Sequence, residues 1–180
     1  MKLRGDSMCI IENSSIALVP YSHQDDHDMY LCWQDIQTQE GYNFVFHQSF
    51  EAYQQSVEIE RFKFWVTVVE KAGGNRVGVL RLGLNEEYPD LAIWIYPQYR
   101  RKGYGTEAFR LALEHLFCKE GYQTIYAGCY GDNIGSLNML RKIGFVPFPA
   151  GNETEVNAFT GKLTVQQCFC LAKASFQESN

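Results

Sequence analysis

The sequence predicts a mixed α/β (α+β) domain with a mostly antiparallel central sheet flanked by helices. Two β-branched and aromatic runs surround a glycine-rich turn between Phe64 and Leu84, which is typical of a hairpin. A third apolar run, Leu91–Tyr96, lies between prolines, and helical periodicity begins at Gly105. With 180 residues, of which 46% are hydrophobic and 21% charged, the chain has the composition of one folded domain. We therefore expect a single domain over residues 1–180.

In the first half of the chain, the sequence predicts two helices and three strands, and the apolar run before Pro97 is a further strand. Ile16–Val19 reads as a strand that Pro20 ends, and Ser22–Ile36 as a helix that Ser22 caps. Ser49–Arg61 is a second, more polar helix. The hairpin strands are Phe64–Val69 and Val77–Leu84. Leu91–Tyr96 has the continuous apolar character of a buried central strand.

The second half predicts alternating helices and strands. Gly105–Cys118 carries apolar residues at i, i+3, i+4, i+7 and i+8, the spacing of one helical face. Thr124–Cys129 reads as a strand, and Val165–Leu171 as the final one. Between them, Asp132 or Asn133 caps a helix whose end is marked by Gly144, a residue suited to the left-handed position after a helix.

The charge balance and the first residues argue against several classes of protein. A net charge of -5 argues against a nucleic-acid surface. No stretch approaches the ~20 apolar residues of a membrane span, so we expect no membrane partner. Lys2 and Arg4 precede no sustained apolar run, so we expect no signal peptide and a cytoplasmic location. The six cysteines form no CxxC pair, and we expect reduced thiols and no metal site.

The segment between Tyr96 and Ala108 joins a strand to a helix and has the chemistry of a diphosphate site. Gly103 and Gly105 remove Cβ atoms where a ligand must approach the backbone closely. The unpaired N–H groups and the positive dipole at a helix start attract phosphate oxygens. Arg101 and Lys102 add positive charge. The loop therefore predicts an anionic, diphosphate-bearing ligand.

Several interpretations of this loop remain open from its residues alone. The GxxxxGK[ST] pattern of a P-loop is absent. The loose GxGxxA pattern of a dinucleotide fold is present from Gly103 to Ala108, but the expected acidic residue ~20 positions later is missing from Gly121–Gly128. Coenzyme A is the third candidate ligand, and a plain strand–helix turn is the alternative without any ligand.

Two spaced motifs resemble the GNAT acetyltransferase superfamily. Arg100-x-x-Gly103-x-Gly105 matches its [Q/R]xxGx[G/A] signature, and the helix that Asn133 leads to Gly144-Phe145 is similar to its second landmark. The stretch from Asp90 to Pro97 resembles the branch that acetylates ribosomal-protein N-termini, polyamines and aminoglycosides. The resemblance covers nearly the whole chain and is strongest from residue 90 to 145.

The resemblance implies acetyl-CoA as cofactor and a primary amine, of a small molecule or a protein N-terminus, as acceptor. It is also compatible with a homodimer. It implies that the backbone around Trp94 pairs with the pantetheine arm and that Asn133 contacts the cofactor near the thioester. The residues it assigns to cofactor binding are Ile93, Trp94, Ile95, Arg101, Lys102, Gly103, Tyr104, Gly105, Thr106 and Asn133.

The catalytic residues depart from the family pattern. Leu140 stands where many members carry a proton-donating Tyr, and Gly128 where some carry a Glu. The resembled branch implies Ser136 as proton donor and Asp90 as a base acting through water. Ser136 serving only as a helix-cap residue, and Asp90 only as a solvated carboxylate, stay open. A non-catalytic acyl-CoA sensor is therefore the alternative function, and a nicotinamide oxidoreductase a more distant one.

The acceptor pocket is expected in two segments. By the resemblance, it is built from roughly residues 33–50 and 148–159. Aromatic residues of the first segment, Tyr42, Phe44 and Phe46, predict an aromatic wall without naming its occupant.

Overall fold

A computed structural model describes residues 9–178, so Lys2 and Arg4 lie outside the described residues. The first half of the chain forms a five-stranded antiparallel sheet in the order β1-β2-β3-β4-β5. The three helices of this half all lie between β2 and β3, and the predicted hairpin is confirmed as β3–β4. The strands are β1 (Ile11–Glu12), β2 (Ile16–Pro20), β3 (Trp65–Glu70), β4 (Arg76–Leu82) and β5 (Leu91–Ile95).

A second sheet forms around the long final strand. Its members β6, β7 and β8 all pair antiparallel with β9. The two sheets meet at one isolated parallel bridge, between Asp90 and Tyr126. The mostly antiparallel α/β class is thus confirmed, but the central position predicted for Leu91–Tyr96 is wrong, because β5 is the last strand of the first sheet. The strands are β6 (Thr124–Tyr130), β7 (Val146–Pro147), β8 (Glu153–Val156) and β9 (Leu163–Ala172).

The first predicted helix is divided in the structure. A 3-10 turn, His23–Asp25, leads into α1, and Asp35 then leaves helical geometry with ψ 124°. The Asp35 carboxylate accepts the N–H of Thr38 at 2.9 Å, so it caps a new helix, α2. The second predicted helix ends at Ser56 instead of Arg61, and a further 3-10 turn follows. The helices are α1 (Asp26–Gln34), α2 (Ile36–Gly41), α3 (Phe50–Ser56), α4 (Tyr104–Cys118), α5 (Ile134–Ile143) and α6 (Lys173–Glu178).

Two hydrophobic clusters cover the two faces of the first sheet. On one face, Val66 and Leu80 pack with the buried side of α4, including Leu113 and Phe117. On the other face, an aromatic-rich cluster fills the space beneath α1 and α3. Burial of each large apolar side chain stabilises the fold by about 1.5–3 kcal/mol, so α4 is held firmly across the sheet. No helix within residues 9–178 is long and apolar enough to span a bilayer.

Candidate active site

The edge of β5 that faces away from β4 pairs with β6 at the Asp90–Tyr126 bridge. After this bridge, the rest of that edge has no strand partner among the described residues. Towards β4, the N–H of Tyr96 donates to Val77 O at 3.0 Å. Backbone groups of successive residues in a strand point to opposite sides. The N–H groups of Ile93 and Ile95 therefore face away from β4, whereas the backbone of Trp94 faces β4. The edge thus offers two donors to an extended ligand arm, at Ile93 and Ile95.

Two carbonyl groups on the same edge are already engaged by side chains. The hydroxyl of Tyr42 donates to Ile93 O at 2.6 Å, and Nε of Arg100 donates to Ile95 O at 3.1 Å. Tyr42 comes from the segment after α2, 51 residues before its partner. No sequence motif marked Tyr42 for this position, because the contact depends on the long-range packing of two separate segments.

The predicted diphosphate loop ends in an uncapped helix start. Arg101 and Gly103 both have left-handed backbones, with φ 63° and 89°. The first backbone bond into α4 runs from the N–H of Glu107 to Gly103 O, and no side chain caps the helix. The N–H groups of the three residues before Glu107 are those that a helix start leaves without an intrahelical partner. These residues are Tyr104, Gly105 and Thr106.

The space around the two glycines fits a cofactor of this shape. A Cβ atom built on Gly103 would meet nothing within 4 Å, so the approach to the helix start is open. A Cβ on Gly105 would lie 3.5 Å from Ile95 and 3.6 Å from Met139, in the gap between β5 and α5. Open amides beside an open strand edge suit a diphosphate joined to an extended arm, which is the chemistry of coenzyme A.

Arg100 anchors the loop, whereas its two cationic neighbours are exposed. Its Nη2 lies 2.6 Å from Thr38 Oγ1 and 2.8 Å from the Asp35 carboxylate, both in or next to α2. Burial acts to raise the pKa of Asp35, but hydrogen bonds from Arg100 and Thr38 hold that pKa below its ordinary value. Arg101 and Lys102 thus supply the outward charge of the loop, and Arg100 fixes its orientation.

Asn133 and Ser136 lie at the start of α5. Asn133 Oδ1 accepts the N–H of Ser136 at 3.1 Å, which is a helix N-cap. The Ser136 hydroxyl lies beside the thiol of Cys129 on β6. Burial raises the pKa of Cys129 to about 11, and a hydrogen bond with Ser136 acts in the opposite direction. Leu140, at the position where many GNAT members carry Tyr, is buried in the core with 1% exposure.

Asp90 lies where β5 and β6 separate. Its carboxylate packs over Gly83, with Oδ1 1.9 Å from the position that a Cβ atom on Gly83 would take. The residue is exposed at the rim, yet desolvation of its carboxyl raises the pKa of Asp90, and the positive charge of Arg81 partly opposes this. A carboxylate with a raised pKa is a stronger base than a fully solvated one.

The predicted aromatic wall is present beside β5. Trp33 lies 5.5 Å from the ring centroids of both Tyr42 and Phe44. Tyr42 stacks on Trp94 at 4.8 Å. Trp94 therefore meets this wall with its side chain, whereas only its neighbours offer backbone groups to the open edge.

The two predicted acceptor segments are joined by Asn43. Its Nδ2 donates to Val156 O at 3.0 Å, and its Oδ1 accepts the N–H of Ala158 at 2.7 Å. The segment after α2 and the hairpin after β8 thus form one continuous rim around the aromatic wall.

Comparisons with known proteins agree with this geometry. A family model described as an acetyltransferase (GNAT) domain matches residues 16–146, well over half of the chain. An uncharacterized N-acetyltransferase, YnaD of Bacillus subtilis (strain 168), is 38% identical over 52 residues. That match spans 28% of this chain and only 31% of the curated relative.

Solved structures share the fold at low sequence identity. A spermidine N-acetyltransferase from Vibrio cholerae, solved with CoA and spermine, is 17% identical with a TM-score of 0.77, covering 92% of this chain and 99% of that one. A GNAT-family acetyltransferase from Bacillus anthracis is 16% identical with a TM-score of 0.75, over 91% and 98% of the two chains. Because the family model matches most of the chain, the chain belongs to the acetyltransferase (GNAT) family.

Proposed function

We propose that this protein transfers the acetyl group of acetyl-CoA to a primary amine of a small molecule or a protein N-terminus, by direct attack in a ternary complex. The observation that carries the proposal is the uncapped start of α4 beside the open edge of β5. The V. cholerae neighbour crystallised with CoA and spermine supports an amine acceptor.

Binding of the donor is assigned to backbone groups and two cations. The amides of Tyr104, Gly105 and Thr106 hold the diphosphate, with Arg101 and Lys102 adding charge. The N–H of Ile95 holds the pantetheine arm, and the N–H of Ile93 remains for the thioester end of the cofactor. When bound, acetyl-CoA supplies the acetyl group as an activated thioester. Holding both substrates in one cleft converts a bimolecular encounter into a local reaction.

Proton transfers are assigned to the side chains of Asp90 and Ser136. An alkyl ammonium has a pKa of ~10.4 and must lose a proton before it can attack. Asp90 takes this proton, directly or through water, and its desolvated carboxyl suits that role. The hydroxyl of Ser136 passes a proton to the departing sulfur and is reprotonated by the proton that the nitrogen loses as the amide forms. The N–H of Ile93 is oriented to stabilise negative charge on the carbonyl oxygen.

Thermal unfolding with saturating acetyl-CoA tests the donor, with NADH and ATP as controls. A ligand at ~100 times its Kd adds ~2.7 kcal/mol of stability, a readily measured rise in Tm. Release of free CoA in the presence of an amine panel then tests the transfer. Acetyl-CoA binding without CoA release from any amine would favour the acyl-CoA sensor instead. Stabilisation by NADH alone would contradict the assignment of the loop.

A further inference from the structure

A cavity of about 180 Å³ lies between the first sheet and the layer of α1 and α3. Cavities of about 150 Å³ accommodate a molecule of the size of benzene, so there is room for a small organic ligand. Its wall combines tryptophans with one arginine of the sheet. The wall includes Trp33, Trp65, Trp94, Arg81, Glu58 and Arg61.

Arg81 projects from β4 into a cage of aromatic rings. Its guanidinium carbon lies 4.3 Å from the centroid of Phe62, 5.1 Å from Trp65 and 5.4 Å from Trp94. The rings offer the cation their π-faces but accept no ordinary hydrogen bond. Burial among these groups lowers the pKa of Arg81, and nearby tyrosines and Asp90 act in the opposite direction.

Arg81 differs from the other half-buried arginines in its partners. Arg76 pairs with Asp25, and Arg100 pairs with Asp35. Within residues 9–178, Arg81 makes neither an ion pair nor a hydrogen bond. A desolvated guanidinium without an anion is costly, and it has five donors to offer to an incoming carboxylate.

The indoles of the cavity wall add further donors beside the cation. The indole Nε1 atoms of Trp65 and Trp94 are buried donors, and neither has a hydrogen-bond partner in the described part of the chain. Glu58 is the acidic side chain in the wall, and its carboxylate is already bonded to Arg61 at 3.1 Å. The wall is therefore complementary to an anion with an apolar body.

The cavity adjoins the proposed reaction centre through the strand register. Arg81 pairs with Ala92, which immediately precedes Ile93 on the open edge. Asp90 lies two residues before Ala92, so it is on the same face of the sheet as Arg81. Arg81 and the proposed base therefore face the same side of the sheet, one strand apart.

We propose that Arg81 binds the carboxylate of the amine acceptor, so that the acceptor is an amino acid or a short peptide with a free carboxylate. This inference rests on the proposed acetyl transfer for the identity of the ligand, but the anion site itself can be tested without turnover. The guanidinium makes paired hydrogen bonds to the carboxylate, and the aromatic rings cover the apolar part of the ligand.

Tryptophan fluorescence reports directly on this site, because all three tryptophans of the protein line the cavity. We expect N-acetylglycine, a carboxylate without an amine, to cause a saturable emission change in the full chain, and sodium chloride at equal ionic strength to cause none. Arg81→Gln is expected to weaken binding by about tenfold or more. Lys119→Gln, which removes an exposed charge outside the cavity, is expected to stay within about threefold.

A second variant distinguishes loss of the binding site from loss of the folded state. Arg81→Lys keeps the charge but loses the planar fork, so binding is expected to weaken by at least about threefold while the Tm stays near that of the wild type. An unresponsive wild-type protein would overturn the anion site. An undiminished response of a folded Arg81 variant would overturn it equally.

Matched amines then test the acceptor class. We expect a higher kcat/KM for lysine than for cadaverine, and for ornithine than for putrescine, since each pair differs only in the carboxylate. Arg81→Gln should reduce this ratio by about tenfold. If the wild-type protein has the same kcat/KM for both amines of each pair, the carboxylate preference is wrong. If no amine is acetylated although acetyl-CoA binds, the proposed function fails, and the fluorescence titration still decides the anion site.

Discussion

The carboxylate of Asp90 occupies the place that a side chain at Gly83 would need. A Cβ atom on Gly83 would lie 1.9 Å from Oδ1 of Asp90, far inside van der Waals contact. Gly83→Ala is therefore expected to displace the carboxylate without altering it chemically. Because general-base catalysis contributes about 10²–10⁴-fold, kcat should fall by at least about tenfold. The rate of CoA release measures this loss.

Asp90→Asn provides the comparison for that experiment. Its loss of kcat should be as large as that of Gly83→Ala or larger, and the double variant should lose little more, because both changes remove the same function. Additive losses would mean that Gly83 acts by a different route.

The pH dependence of turnover should report the ionisation of Asp90. Desolvation raises the pKa of this carboxyl, and only its ionised form accepts a proton. The kcat should therefore fall as the pH is lowered through this raised pKa, at a higher pH than an ordinary aspartate would cause. In Asp90→Asn the acid limb should be flat over the same range. A retained acid limb would assign the titration to another group.

Substitution of Gly103 should weaken acetyl-CoA binding, whereas the same substitution at Gly74 should not. Gly103 and Gly74 both have positive φ, 89° and 74°, and a Cβ on either meets nothing within 4 Å. Alanine at either position should cost about 1–2 kcal/mol of stability, because left-handed backbone is strained for a residue with a Cβ. Only Gly103→Ala should also raise the Kd of acetyl-CoA, by about tenfold. Equal affinities in the two variants, measured by calorimetry, would contradict the assignment of the helix start.

Ser136→Ala should separate catalysis from capping. The cap at this turn uses the backbone N–H of Ser136, which alanine retains, so stability should change little. Loss of the hydroxyl should lower kcat without raising the Kd of acetyl-CoA. Asn133→Ala is the converse control and should cost about 1 kcal/mol of stability through the lost cap. An unchanged kcat in Ser136→Ala would mean that the hydroxyl is not the proton donor. Its role would then be limited to the contact with Cys129.

Asp35→Asn should loosen the diphosphate loop from a distance. The Asp35 carboxylate bonds Arg100 at 2.8 Å, and Arg100 in turn holds Ile95 O. Removing the charge should lower stability and raise the Kd of acetyl-CoA, although Asp35 itself lies outside the diphosphate loop. Since the folded-state pKa of Asp35 is depressed, its stabilisation is present above the unfolded pKa and is lost as the pH falls through the folded value. Acid unfolding of the wild type and the variant should therefore converge at low pH.

The local elements were predictable because their signals lie within a few residues of one another. The period of α4, the cap by Asn133 and the left-handed Gly144 each depend on neighbours within one or two helical turns. The strand–loop–helix that begins at Leu91 was predictable for the same reason. The glycine spacing then identified the loop, since backbone conformation and close approach to a ligand restrict the residue type there.

Contacts across the fold were decided by the tertiary structure alone. The break at Asp35 follows from a carboxylate shared between a helix cap and Arg100, 65 positions later in the chain. The cage around Arg81 and the packing of Asp90 on Gly83 depend on which strands lie side by side and in what register. Sequence periodicity specifies which face of a strand is apolar, but only the closed sheets determine which polar group on that face is left without a partner.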